Sequence, residues 1–216
     1  MDWTLIQAFG QAVIGIFAIV NPIGNLPVFV GLTEHMETEE RRRLFRLAGI
    51  TALVVISVMA VAGQVLLRHV FHISIDEFRF GGGLLLVVVG MRSILGSGHQ
   101  TPLGSPVEGD DESRRRENVK LAVSPIAVPL LVGPGSIVTV MLTSDQQGKL
   151  FALAACLITF GLVIAVLNYA HVVYRLMGRV GSLAIGRVMQ IFIIAIGVKF
   201  CMNSLASMFP QLTAGR

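Results

Sequence analysis

The residues with the strongest claim on chemistry fall in two short stretches of otherwise apolar sequence. The first is Asn21-Pro22-Ile23-Gly24-Asn25-Leu26-Pro27; the second begins Ser124-Pro125-Ile126-Ala127-Val128-Pro129 and runs on to Gly133-Pro134-Gly135-Ser136. Proline removes an amide donor, glycine permits backbone angles and close approaches that other residues resist, and the two asparagines add side-chain donors and acceptors at the same depth. Within a bilayer the backbone groups freed in this way have no water to pair with, so such breaks survive only beside protein or a polar cavity. A kink with capping asparagines is the plainer reading of the first stretch, although kinks rarely need two prolines, a glycine and two amides together. In the second, Ser136 can cap a helix restarting at Ile137, whose free amides and positive dipole end suit a carboxylate.

Other candidates are weaker. Gly133-Pro134-Gly135-Ser136 raises a serine nucleophile, but no base is placed beside it, since His171 lies near the far end of the fifth apolar segment. His69 and His72, three apart in a polar connection, lack a third ligand and read as exposed loop histidines. Lys199, inside the last apolar segment, is a functional candidate by default. Its correspondence with Arg92 in the repeat described below favours snorkelling of both at opposite faces. Gly81-Gly82-Gly83 reads first as a close helix contact, with a lining role for Gly82 as the second reading. Cys156 and Cys201 sit in apolar segments and act as small hydrophobes. No catalytic residue, cofactor or metal is expected, and the chain is not expected to be an enzyme.

The elements that must position these groups are set by composition. Of 216 residues 54% are hydrophobic and 14% charged, with a mean hydropathy of +0.75, against roughly 25% charged in a soluble domain. Charged groups separate apolar stretches near the ~20 residues that a bilayer core requires. Six membrane spans are expected, over residues 3–33, 47–67, 78–95, 121–144, 150–173 and 183–208; the short alternating segments of a transmembrane barrel are absent. Met1-Asp2-Trp3 leads straight into apolar sequence without a basic region, so the first span is expected to stay in the mature protein.

If all six cross, one side holds Arg41, Arg42, Arg43, Arg46, Arg92, Arg114, Arg115, Arg116, Lys120, Arg175, Arg179 and Arg187, and the other Arg68, Arg79, Lys149 and Arg216. The positive-inside rule puts the first group in the cytoplasm and both termini outside. That accounts for the arginine clusters without nucleic acid as a partner. Residues 98–118, rich in Gly, Ser and Pro and then acidic, read as a cytoplasmic linker between halves at 1–97 and 119–216.

The halves share ordered features: Asn21-Pro22-Ile23 with Ser124-Pro125-Ile126, Gly31 with Gly133, Arg79 with Arg187, and Gly90-Met91-Arg92 with Gly197-Val198-Lys199. Three spans per half is an odd number, so the second half would lie inverted. Inverted halves with broken helices at corresponding positions point to a transporter site at mid-membrane. One mismatch stands. About eighteen residues precede Asn21 in its span but few apolar ones separate Lys120 from Ser124, so the breaks are either kinked spans or re-entrant hairpins.

Three stretches, Asn21-Pro22-Ile23-Gly24-Asn25-Leu26-Pro27-Val28-Phe29, Ile73-Ser74-Ile75-Asp76-Glu77-Phe78-Arg79 with Gly82-Gly83, and Pro129-Leu130-Leu131-Val132-Gly133-Pro134-Gly135-Ser136-Ile137, resemble the bacterial MarC family. The similarity runs in order over nearly the whole chain. It implies a six-span inner-membrane protein, with small neutral amino acids such as alanine or glycine as substrates for some relatives. This chain departs from the pattern at Gln190, where relatives often have glycine, and at Asn203-Ser204.

The expected fold is therefore an all-α integral membrane protein of six transmembrane helices, arranged as two three-helix inverted repeats with broken first helices. The expected function is alternating-access transport of a small zwitterion. Its site is expected at Asn21, Pro22, Gly24, Asn25, Ser124, Gly133, Gly135 and Ser136, with the carboxylate on amides near Gly133 to Ser136 and the ammonium on Asn21, Asn25 and carbonyls near Gly24. No Asp or Glu lies deep in a span, which disfavours a buried carboxylate as proton carrier; the coupling ion, sodium or proton, stays open, as does a homo-oligomer. The rival reading is a structural or regulatory membrane protein whose breaks only pack helices, or an exporter of other small solutes.

Overall fold

The structure, a computed structural model, describes residues 3–33, 36–95 and 131–209. The linker at 98–118 and Ser124 lie outside the described residues. Among these residues the ordered elements are helices: α1 Trp3–Val20, α2 Leu26–Leu32, α3 Thr38–Val65, α4 Ile75–Ile94, α5 Pro134–Gln147, α6 Lys149–Asn168 and α7 Ala170–Met208. A π-helical stretch, Leu66–Phe71, extends α3. At Gly178 (φ 66°, ψ 176°) α7 leaves helical geometry, so a short segment precedes the long run Val180–Met208.

Among the described residues four helical stretches are long and apolar enough to cross a membrane: Trp3–Val20, Thr38–Phe71, Lys149–Asn168 and Val180–Met208. Large apolar side chains such as Val54, Val58, Leu157, Leu162, Ile191 and Phe192 point outward, which suits contact with lipid and not with water. Of the six expected spans, the first, second, fifth and sixth correspond to such a stretch; the third and fourth do not among the described residues, and residues 121–130 of the fourth lie outside them. α4 has 20 residues but carries Asp76, Glu77 and Arg79 at its start and Arg92 at its end. α5 has only 14 residues, about 21 Å at 1.5 Å per residue against a hydrocarbon core of roughly 30 Å. The fifth span also stops at Asn168, and residues 170–173 belong to the next helix.

The core joins α1, α2, α3, α5, α6 and the start of α7. Ala48, Ala52, Ile56 and Ala60 recur every four residues on α3 and so share one face, buried with Ala152, Ala155, Cys156, Phe160 and Val163 of α6. Small side chains at these positions let the two helices approach closely. Phe29 ties the short α2 to α3 by an edge-to-face contact with Phe45, at 6.1 Å between ring centres. Two hydroxyls bridge helices: Thr159 Oγ1 donates to the Val13 carbonyl at 3.4 Å, and Ser144 Oγ to the Ala60 carbonyl at 2.7 Å.

α4 packs along α7 through glycine. A Cβ on Gly83 would sit 2.7 Å from the Gly197 carbonyl oxygen, and one on Gly197 would sit 2.6 Å from that of Gly83. Seven residues further along α4, Gly90 meets Ile194 and the Gln190 carbonyl. Toward the α4 start, Cys201 Sγ reaches the Phe80 carbonyl at 3.6 Å. As α4 advances, its partner positions on α7 recede, so the two helices run antiparallel. Gly82 packs against Val138 of α5, and the helix contact, not a lining role, is what its missing side chain serves.

Candidate functional site

The first break is built by Asn21. Its amide still closes the last turn of α1 on the Phe17 carbonyl at 2.9 Å, but its φ of 49° puts it in the left-handed region, where asparagine is among the few tolerated residues. Its Oδ1 accepts from the Gly24 amide at 3.0 Å, and Asn25 Nδ2 reaches back to the Val20 carbonyl at 3.4 Å. Pro27 occupies the first turn of α2, where a missing N–H leaves no helical bond unmade. Pro22 is buried. The capping reading of the asparagines thus accounts for one group on each side chain. It leaves Asn21 Nδ2 without a partner, although only 4% of the residue is exposed.

The second break differs from its sequence reading. Gly133 is the N-cap of α5 and Pro134 its first residue, so Ser136 lies inside the first turn and does not cap a helix beginning at Ile137. Proline wins the N1 position because its fixed φ suits a helix start. Ser136 Oγ donates to the Gly133 carbonyl at 2.9 Å, and the Ser136 and Ile137 amides bond the same oxygen at 3.1 and 3.2 Å. Two of the expected free amides, those of Ser136 and Ile137, are therefore taken up inside the turn; the Gly135 amide belongs to the first turn, where a helix supplies no acceptor of its own.

The two breaks meet at one cavity of about 160 Å³. Asn21 and Asn25 line it from the first break, Gly133 to Ser136 from the second, Leu85, Leu86, Val89 and Ser93 from α4, and Gln190 and Ile193 from α7. Pro22 and Gly24 are not on its wall; Gly24 lies behind it, its carbonyl 3.4 Å from where a Cβ of Gly186 would stand. Besides Asn21 Nδ2, the buried Gln190 Oε1 has no partner. The cavity thus offers an amide donor, a carbonyl acceptor and the positive end of the α5 dipole, within an apolar surround. Its wall can both donate to and accept from a small polar solute.

Sequence reasoning missed Gln190 and Ser93. In the sequence Gln190 stands out as a polar residue of the last span and a departure from a glycine, and nothing in its neighbours marks it as lining a cavity. Lys199 and Arg92 are exposed and are not among the residues of the cavity wall. His69 and His72 are exposed at the end of α3, with His72 in left-handed geometry at φ 54°.

Long apolar helices, outward apolar faces and a cavity between interrupted helices define a multi-pass α-helical integral membrane protein. The sequence profile described as "MarC family integral membrane protein" matches residues 6–209, and the chain belongs to that family. A UPF0056 membrane protein of Pyrococcus abyssi is 31% identical over 206 residues, covering 95% of this chain and 98% of its own. The UPF0056 membrane protein YhcE of Escherichia coli is 28% identical over 209 residues, 92% of each chain. YvbG of Bacillus subtilis is 29% identical over 205 residues, 93% of this chain and 95% of its own. No solved structure matches.

Proposed function

We propose that this protein is a transporter, permease or exporter, of small neutral amino acids or similar zwitterions, and not an enzyme. The observation that carries the reading is a cavity lined by both helix breaks, with Asn21 Nδ2 and Gln190 Oε1 unpaired in its wall. A buried unpaired amide costs on the order of 1–3 kcal/mol, and a fold that only packed helices gains nothing from two of them facing one space. The volume supports a small solute: an apolar cavity of about 150 Å³ accommodates benzene, with six heavy atoms, and alanine has six. The solute's carboxylate would rest on the Gly135 amide, the α5 dipole and Asn21.

The proposal includes six crossings in two inverted halves, α4 and α7 being the third helix of each, in a bacterial inner membrane with both termini periplasmic. The sequence repeat equates Gly90 with Gly197 and, by the same step, Gly83 with Gln190. The observed contacts, Gly83 with Gly197 and Gly90 with Gln190, exchange under that operation, as a two-fold axis between antiparallel helices requires. The midpoint of this crossing falls at Leu86 and Ile193, both in the cavity wall. Rocking of one half against the other about that point would expose the cavity alternately.

Labelled alanine in proteoliposomes tests the function. Saturable uptake with accelerated counterflow is the expected result. Non-saturable flux would make the protein a channel, and no flux together with no ligand-dependent thermal stabilisation would leave the structural or regulatory reading.

A further inference from the structure

Gln190 breaks the local symmetry of the cavity. Its repeat mate, Gly83, has no side chain and is filled by the Gly197 backbone, whereas Gln190 sends a polar side chain into the wall at the crossing of α4 and α7. Its Oε1 is buried and accepts from nothing. The other unpartnered side-chain atom of the wall, Asn21 Nδ2, is a donor and comes from the first break, as Gly135 of the same wall comes from the second. The wall therefore carries an unpaired donor and an unpaired acceptor side chain together with apolar residues such as Leu86 and Ile193.

We infer that Gln190 is a solute-contacting residue: its Oε1 accepts a hydrogen bond from the solute's ammonium group, and its length closes the cavity to side chains beyond a methyl. This rests on the transport reading above and assigns the ammonium to α7 in place of Asn25 and the Gly24 carbonyl. The Asn25 amide is engaged with Val20, and the Gly24 carbonyl is turned to Gly186. An acceptor bond to a charged group in a low-dielectric wall is among the stronger hydrogen bonds.

The test uses the purified full chain, with glycine, alanine, valine and leucine as probes and ligand-dependent thermal stabilisation and calorimetry as readouts. Gln190→Leu keeps the bulk and removes the acceptor: alanine affinity falls about tenfold or more, while thermal stability without solute is unchanged or higher, because no bond is lost. Gln190→Ala shortens the wall, so the ratio of valine to alanine affinity rises; as a ratio within one variant it does not depend on how much protein folds. Wild-type protein that binds alanine, with Gln190→Leu binding it equally or Gln190→Ala leaving the ratio unchanged, overturns the assignment alone. Wild-type protein that binds none of the four overturns both this assignment and the transport reading.

Discussion

Replacing Asn21 separates its two jobs. Its Oδ1 holds the Gly24 amide at 3.0 Å and its Nδ2 is unpaired and buried, so the first serves the fold and the second, in the proposed mechanism, the solute. Asn21→Gly keeps access to the left-handed φ of 49° and removes both groups. It loses one hydrogen bond of about 1 kcal/mol but also removes a buried donor that cost a comparable amount, so stability without solute changes by no more than about 1 kcal/mol. Asn21→Ala makes the same exchange and adds about 1–2 kcal/mol for left-handed backbone with a Cβ. Solute affinity behaves differently: each variant loses one bond to a carboxylate, about 1.5–3 kcal/mol or roughly 10- to 150-fold.

Gly24 supplies an internal control. A Cβ there meets the Asn21 amide itself, so Gly24→Ala should displace that amide and weaken binding in the wild type, and have no further effect on binding when Asn21 is already glycine. The assay is calorimetric titration of alanine into detergent-purified protein for the four corners of the cycle, alongside thermal unfolding without solute. Unchanged affinity in Asn21→Gly, or additive losses in the double variant, would refute the argument, because groups in contact must couple.

The packing makes further predictions. Gly83→Ala drives a Cβ onto the Gly197 carbonyl, backbone that cannot rotate away, and should lower stability by about 1–3 kcal/mol in thermal unfolding. Gly81→Ala on the same helix meets nothing within 4 Å and should be neutral or stabilise by up to about 1 kcal/mol. Ser74→Ala removes a capping box in which Ser74 and Glu77 satisfy each other's backbone amides at 3.2 and 2.7 Å; the expected cost is about 1 kcal/mol, read as a lower unfolding midpoint.

The sequence by itself determined the membrane class, the places where helices stop and the residue types at each stop. These are local properties: apolar length is read directly from composition, and proline, glycine and asparagine act on their own backbone. It placed Asn21 and Asn25 at one break and Gly133 to Ser136 at the other. It did not place Ser136 correctly within its turn, because Pro134 and Ser136 both suit a helix start and only the hydrogen-bond pattern chooses between them.

Tertiary structure alone decided what faces the breaks. Gln190 is a polar residue in a long, largely apolar helix, and its meaning depends on α7 running antiparallel to α4 with Gly83 against Gly197, which puts Gln190 in one cavity wall with Leu86 and the start of α5. That register is fixed by where two backbones can touch, a relation between residues more than a hundred positions apart that no local pattern carries.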